Sequence, residues 1–179
     1  MRSFRLLATV VVVGACADSG RVGGPTEPSL SAENVAAAAA SAAQRIEASG
    51  EFDALVDFST LTLTPRGRNC LLTVKGQLVF SGTIEGTATG QTTALVFASC
   101  ADVASNPPGT FADRFKSELM FEGTVDGQAA AANVLYMGRV QPGGQIEGRL
   151  VFSNGVQGRL EAEAVVAVGG SYEGSVVVR

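Results

Sequence analysis

The stretch VKGQLVFSGTIEGTATG, Val74–Gly90, alternates with a period of two. Its even positions are Val74, Gly76, Leu78, Phe80, Gly82, Ile84, Gly86, Ala88 and Gly90, all apolar or glycine. Its odd positions are Lys75, Gln77, Ser81, Thr83, Glu85, Thr87 and Thr89, all polar, with Val79 as the exception. Period-two alternation puts one class of side chain on each face of a β-strand. The pattern recurs downstream. Phe115, Ser117, Leu119, Phe121, Gly123, Val125 and Gly127 alternate with residues that are charged or polar apart from Met120, and Ile146–Phe152 and Tyr172–Val178 do the same apart from Val151 and Val177. Leu160, Ala162, Ala164, Val166 and Val168 continue it after Gly158. A sheet with one apolar face must close on itself or pair with another layer.

Turn signals separate the strands at Pro65-Arg66-Gly67-Arg68, Asn106-Pro107-Pro108-Gly109, Gln141-Pro142-Gly143-Gly144, Ser153-Asn154-Gly155 and Gly169-Gly170. About eight short strands with short sequential connections predict an antiparallel, mostly up-and-down β-barrel or sandwich. The stretch from Ala101 to Arg114 is the one longer, polar connection. Glycine selects the barrel. Gly82, Gly86, Gly90, Gly123, Gly127, Gly148, Gly158 and Gly174 fall on the apolar side, where tight curvature crowds side chains.

A motif of glycine, x, aliphatic, x, glycine recurs as Gly82-Thr83-Ile84-Glu85-Gly86, Gly123-Thr124-Val125-Asp126-Gly127 and Gly144-Gln145-Ile146-Glu147-Gly148. Gly170-Ser171-Tyr172-Glu173-Gly174 is an aromatic version. Over residues 52–179 this resembles the bacterial relatives of allene oxide cyclase and dirigent proteins, small glycine-punctuated β-barrels. The resemblance implies an apolar interior able to take a hydrophobic small molecule. No polar cluster on the inward face matches a cyclase site, so no catalytic residue carries over.

Upstream of the barrel, the chain changes character twice. Residues 31–49, SAENVAAAAASAAQRIEAS, are alanine-rich and capped by Ser31; they read as a spacer helix, or as a helix packed on the barrel mouth or a partner. Residues 17–30 are rich in Gly, Pro and Ser and read as a tether. At the start, Arg2 and Arg5 precede an apolar run from Leu6 to Val13, a secretory signal too short to span a bilayer. Val13-Gly14-Ala15-Cys16 resembles the lipobox of bacterial lipoproteins. That resemblance implies a diacylglycerol on the Cys16 sulfur and removal of residues 1–15. The expected organisation is therefore a signal peptide over 1–15, lipidated cysteine, tether and spacer over 16–50, and the barrel over 51–179. The expected address is the bacterial cell envelope, lipid-anchored and facing the periplasm or outer membrane.

Cys70 and Cys100 remain as an even pair in an exported domain, which predicts a disulfide. The chain has 13 Lys plus Arg, 17 Asp plus Glu and no His, a formal charge of −4. The acidic balance excludes a nucleic-acid binder, and the missing histidine excludes imidazole relays and histidine-based zinc sites. Glu85, Glu118, Glu122, Asp126, Glu147, Glu161, Glu163 and Glu173 fall on the outward face by alternation, where a carboxylate makes a poor general acid. Arg66 and Arg68 form one compact basic spot, which is either a plain turn or a contact for an anionic partner. Phe80, Ile84, Phe121, Phe152 and Tyr172 share the apolar face. They read either as core or as the lining of a cavity left by the inward glycines. These features predict no catalytic residue, no cofactor and no metal. They favour a non-enzymatic, lipid-anchored binding or interaction module, with a barrel that could hold an apolar small molecule. The alternatives are an isomerase or cyclase on a hydrophobic substrate, and a structural envelope component.

Overall fold

The computed structural model describes residues 44–178. Eight strands follow one another in sequence: β1 (Gln44–Arg66), β2 (Asn69–Gly82), β3 (Ile84–Val96), β4 (Asp113–Val125), β5 (Gln128–Val140), β6 (Gln145–Ser153), β7 (Val156–Val165) and β8 (Gly169–Val178). Each pairs antiparallel with the next, and β1 pairs with β8, so the sheet closes into an up-and-down barrel. Closure removes every free edge, which is how a barrel avoids edge-to-edge association. A short helix, α1 (Cys100–Ser105), sits in the β3–β4 connection. It is capped at its start by the Ser99 hydroxyl, which accepts from Asp102 N.

Antiparallel order gives the barrel two unlike ends. One carries the β2–β3, β4–β5 and β6–β7 turns together with the first residue of β1, Gln44, paired with Val178. The other carries the β1–β2 turn, the α1 connection, and the β5–β6 and β7–β8 turns.

The alternation seen in the sequence survives as inside and outside. Phe80, Ile84, Ala88, Leu119, Phe121 and Val125 are buried, whereas Glu85, Glu118 and Glu122 are exposed. All eight carboxylates assigned to the outer face are exposed. The inward glycines mark close approach of neighbouring backbones. Gly86 pairs with Gly123, Gly76 with Gly90, and Gly138 with Gly148. A Cβ on Gly90 would run into the Glu118 carbonyl oxygen and lie 2.9 Å from Leu119 Cα. At these positions the glycines admit neighbouring backbone and ring atoms, which favours the core alternative for the aromatic face over a cavity left by the glycines.

Three local expectations are corrected. Gln44–Ser49, placed in the alanine-rich helix, are strand: they pair with β8, and Ile46 and Ala48 are buried in the core. The rest of that segment, the tether and Cys16 lie outside the described residues. The turn expected at Gly169-Gly170 lies one step earlier, at Val166–Val168, where Ala167 adopts a positive φ of 56°; Gly169 and Gly170 are already strand. The apparently continuous runs Val74–Gly90 and Phe115–Gly127 each contain a reversal or end in one. Phe80, Gly82 and Ile84 stay in phase through the β2–β3 turn, so the alternation conceals it. Asp126-Gly127, with φ of 50° and 74°, forms a tight hairpin turn, so Gly127 is not an inward strand residue.

Candidate ligand cavity at the wide end of the barrel

The two halves of the barrel are filled differently. The half nearest the tight turns is packed with rings. Phe80 lies 5.7 Å from Tyr172, 6.0 Å from Phe121 and 6.3 Å from Phe152, centroid to centroid. Phe121 and Phe152 also meet edge to face at 5.9 Å. Ile84 is fully buried beneath them. The Tyr172 hydroxyl accepts from Ile84 N at 2.9 Å and faces the Ser81 and Ile84 carbonyl oxygens at 3.1 and 3.2 Å, fastening the β2–β3 turn. Burial raises the Tyr172 phenol above its ordinary pKa. All five residues singled out as cavity lining are brought together, but as the plug of the closed half. Each such buried side chain stabilises the fold by roughly 1.5–3 kcal/mol.

The other half is hollow. A cavity of about 450 Å³ opens between the middle of β1, the β3–β4 connection and the β7–β8 turn. Its walls are Leu72, Val74, Ala94, Val96, Val140 and Ile146, and Leu78, Leu119 and Tyr136 close it below. None of the five plug residues lines it. The rim is made by Phe58 and Leu61 from β1, Val103 and Pro107 from the α1 connection, and Val166 from the β7–β8 turn. The Cys70–Cys100 disulfide, with Cα atoms 4.8 Å apart, fastens the start of α1 to the start of β2 beside that rim. Arg66 and Arg68 lie exposed at the adjoining β1–β2 turn.

An irregularity in β1 shapes the rim. Between the pairs Asp57↔Lys75 and Thr62↔Thr73, β1 advances by five residues while β2 advances by two. The excess is held as an ordered bulge. Asp57 Oδ1 accepts from Ser59 N at 3.0 Å and from Ser59 Oγ at 2.6 Å. Thr60 Oγ1 donates to Asp57 O at 2.8 Å and accepts from Lys75 N at 2.8 Å. Phe58 is thereby left 52% exposed at the mouth.

Lys75, Gln77, Asn106 and Thr110 also border this apolar space, and buried or half-buried polar groups enter it at three further places. Thr92 Oγ1 and Ser117 Oγ share a hydrogen bond of 2.7 Å, so both are satisfied. The Tyr136 hydroxyl is buried without a partner, and burial raises its phenol pKa. Asp113, the first residue of β4, has a buried Oδ1 that also lacks a partner. Burial pushes its carboxyl up from 3.8 to about 6. Its cross-strand neighbours are Val96 and Val140, which offer no charge and no donor side chain. Unsatisfied buried polar atoms are uncommon in folded domains. Two of them in one cavity concentrate unused hydrogen-bonding capacity where a small molecule would sit.

The sequence reading missed both groups. Asp113 lies in phase with Phe115, Ser117 and Leu119, so carrying that alternation two residues upstream would have placed it inward. Tyr136 sits in a strand with apolar residues on both faces, including Leu135 and Met137, and shows no clean period. Among the described residues, no cluster of three or more His, Cys, Asp or Glu side chains is arranged to hold a metal.

The architecture has a counterpart among solved structures. It is similar to the crystal structure of a protein of unknown function, of the DUF3224 family, from Shewanella oneidensis MR-1, with a TM-score of 0.50 and 16% identity. The match covers 76% of this chain and 98% of that one. At that identity the likeness shows the fold alone. No protein-family profile matches the chain, and no curated protein matches it in sequence.

Proposed function

We propose that this protein is a binding module, exported and held at the bacterial envelope by a lipid on Cys16, that carries an apolar small molecule in the wide half of its barrel. The observation behind this reading is the 450 Å³ apolar cavity with an open mouth. That volume lies within the range of about 300–1,000 Å³ typical of small-molecule sites, and side chains normally fill the interior of eight-stranded barrels. The exposed Phe58 and Leu61 at the rim give an apolar ligand a path from a membrane or carrier into the interior.

Filling the cavity tests this. Leu72→Trp places an indole in the space from an inward position that is only partly buried. Wild-type protein should enhance the fluorescence of Nile red, and Leu72→Trp should lose at least nine-tenths of that enhancement while still unfolding cooperatively. Equal enhancement by the two proteins, or none by wild type, overturns the reading.

A second reading, an isomerase or cyclase on a hydrophobic substrate, gains support from one feature. Asp113 and Tyr136 bring an unpartnered carboxyl and an unpartnered hydroxyl to the same cavity, and a carboxyl with a pKa near neutrality suits general acid–base work. The two readings part on product. Ligand recovered with unchanged chromatographic retention supports binding, and conversion to an isomer of equal mass supports catalysis.

A further inference from the structure

We propose that Asp113 is the anchor of the barrel cavity, and that the ligand is an amphiphile whose head donates hydrogen bonds, an ammonium or a hydroxyl, in preference to a carboxylate. This rests on the ligand-holding reading above and adds the chemistry of the head group.

Asp113 stands at the rim end of β4, on the inward face, so it meets a ligand where the head of an inserted tail comes to rest. Its Oδ1 is buried and accepts nothing from the protein. A buried acceptor left open is costly, more so when charged, and no contact within the fold offsets that cost. None of the ion pairs among the described residues includes Asp113. The nearby cations are directed elsewhere. Arg114 is exposed on the outer face, and Arg139, its cross-strand neighbour, is bonded to Glu147. Lys75 reaches the cavity lip from the outer face of β2, opposite Asp57. A carboxylate head at the rim would therefore meet a buried acceptor, since the cavity's unpartnered donor, the Tyr136 hydroxyl, belongs to the deeper pair Ser117↔Tyr136. An ammonium or hydroxyl would fill the vacant position.

The test uses dodecylamine, 1-dodecanol and dodecanoate, which share a tail and differ in head. Affinities are measured at pH 7.5 by displacement of Nile red from the purified wild-type protein and from Asp113→Asn. Wild type should bind dodecylamine at least tenfold tighter than dodecanoate, with dodecanol between them. A tenfold ratio corresponds to about 1.4 kcal/mol, within reach of one charge-assisted hydrogen bond. Asp113→Asn, checked for cooperative unfolding, should shrink the ratio below threefold. If dodecanoate binds best, Lys75 is the anchor and the proposal is wrong. Equal binding of all three, or a ratio unchanged in Asp113→Asn, also overturns it and leaves the cavity reading standing. If wild type binds neither the dye nor any dodecyl compound, the cavity reading falls with it.

Discussion

Asp113 should make the barrel less stable as the pH rises, against the usual direction for a carboxylate. Most acidic side chains gain partners on folding, and their folded pKa falls. Asp113 gains only burial, and its pKa rises from 3.8 to about 6. The folded state therefore holds the proton more tightly than the unfolded chain. Its contribution to stability is complete below pH 3.8 and is lost as the pH rises through about 6. Between pH 4.5 and 7.5 the shift implies a loss of about 2 kcal/mol, reduced to about 1–2 kcal/mol because part of the side chain reaches solvent. Asp113→Asn isolates this effect. The unpaired amide costs the same at both pH values, so it cancels when the wild-type-to-variant difference is compared across pH. Urea denaturation at pH 4.5 and 7.5 should show the variant gaining about 1–2 kcal/mol relative to wild type between those values. A change below about 0.3 kcal/mol, or one of opposite sign, would mean that the carboxylate is solvated or paired in solution, and the anchor argument would lose its basis.

Other outcomes follow from the packing and the termini. Phe80→Ala should destabilise by about 3–5 kcal/mol, seen as a fall of at least 10 °C in melting temperature. It should leave dye binding by the folded protein within twofold of wild type, since Phe80 belongs to the plug; loss of binding at full folding would return Phe80 to the site. Replacing Cys70 and Cys100 together by serine removes a cross-link spanning 30 residues and should cost about 3–4 kcal/mol in the chain-entropy account. It should also speed ligand release in stopped-flow displacement, because α1 is no longer fastened beside the rim. Cys16→Ser should abolish the acyl mass increment and move the protein from the membrane fraction to the soluble one; unchanged fractionation would remove the lipid anchor from the proposal.

The sequence revealed the barrel because its sidedness is written residue by residue. Phe115, Ser117, Leu119 and Phe121 alternate with Lys116, Glu118, Met120 and Glu122, and burial follows that order. It failed where phase carries no information. The β2–β3 reversal keeps Phe80, Gly82 and Ile84 on one parity, so nothing marks the turn. Alanine favours helix in isolation, yet Gln44–Ser49 adopt the extended form because β8 supplies hydrogen-bonding partners and the core takes Ile46 and Ala48. Tertiary pairing outweighs local propensity there. The location of the cavity was hidden for a different reason. Four rings and an isoleucine on one face look the same to a periodicity argument whether they touch one another or line a space. Only the barrel's shear shows that they converge in one half.

What empties the other half is the bulge in β1. Ahead of it, Phe52, Ala54 and Val56 fall on the inward parity, and the register Val56↔Gly76 would carry on as Phe58↔Val74. Both residues would then point inward, and Phe58 would fill the space between Val74 and Leu119. The chain instead inserts three residues relative to β2, turns Phe58 out to the rim, and resumes with Leu63 opposite Leu72. Removing Ser59, Thr60 and Leu61 should therefore let the pairing run on without interruption, because Leu63 would keep Leu72 as its partner. The hydrogen bonds lost with the bulge are exposed ones and contribute little each, about 0.5–1.5 kcal/mol at most. Burying the half-exposed Phe58 ring returns about 1 kcal/mol. The shortened protein is thus expected to fold with stability close to wild type and to lose Nile red binding at least tenfold. A shortened protein that folds and still binds would show that the hollow half does not depend on this irregularity, and that the small side chains of Ala94, Val96 and Ser117 suffice to keep it open.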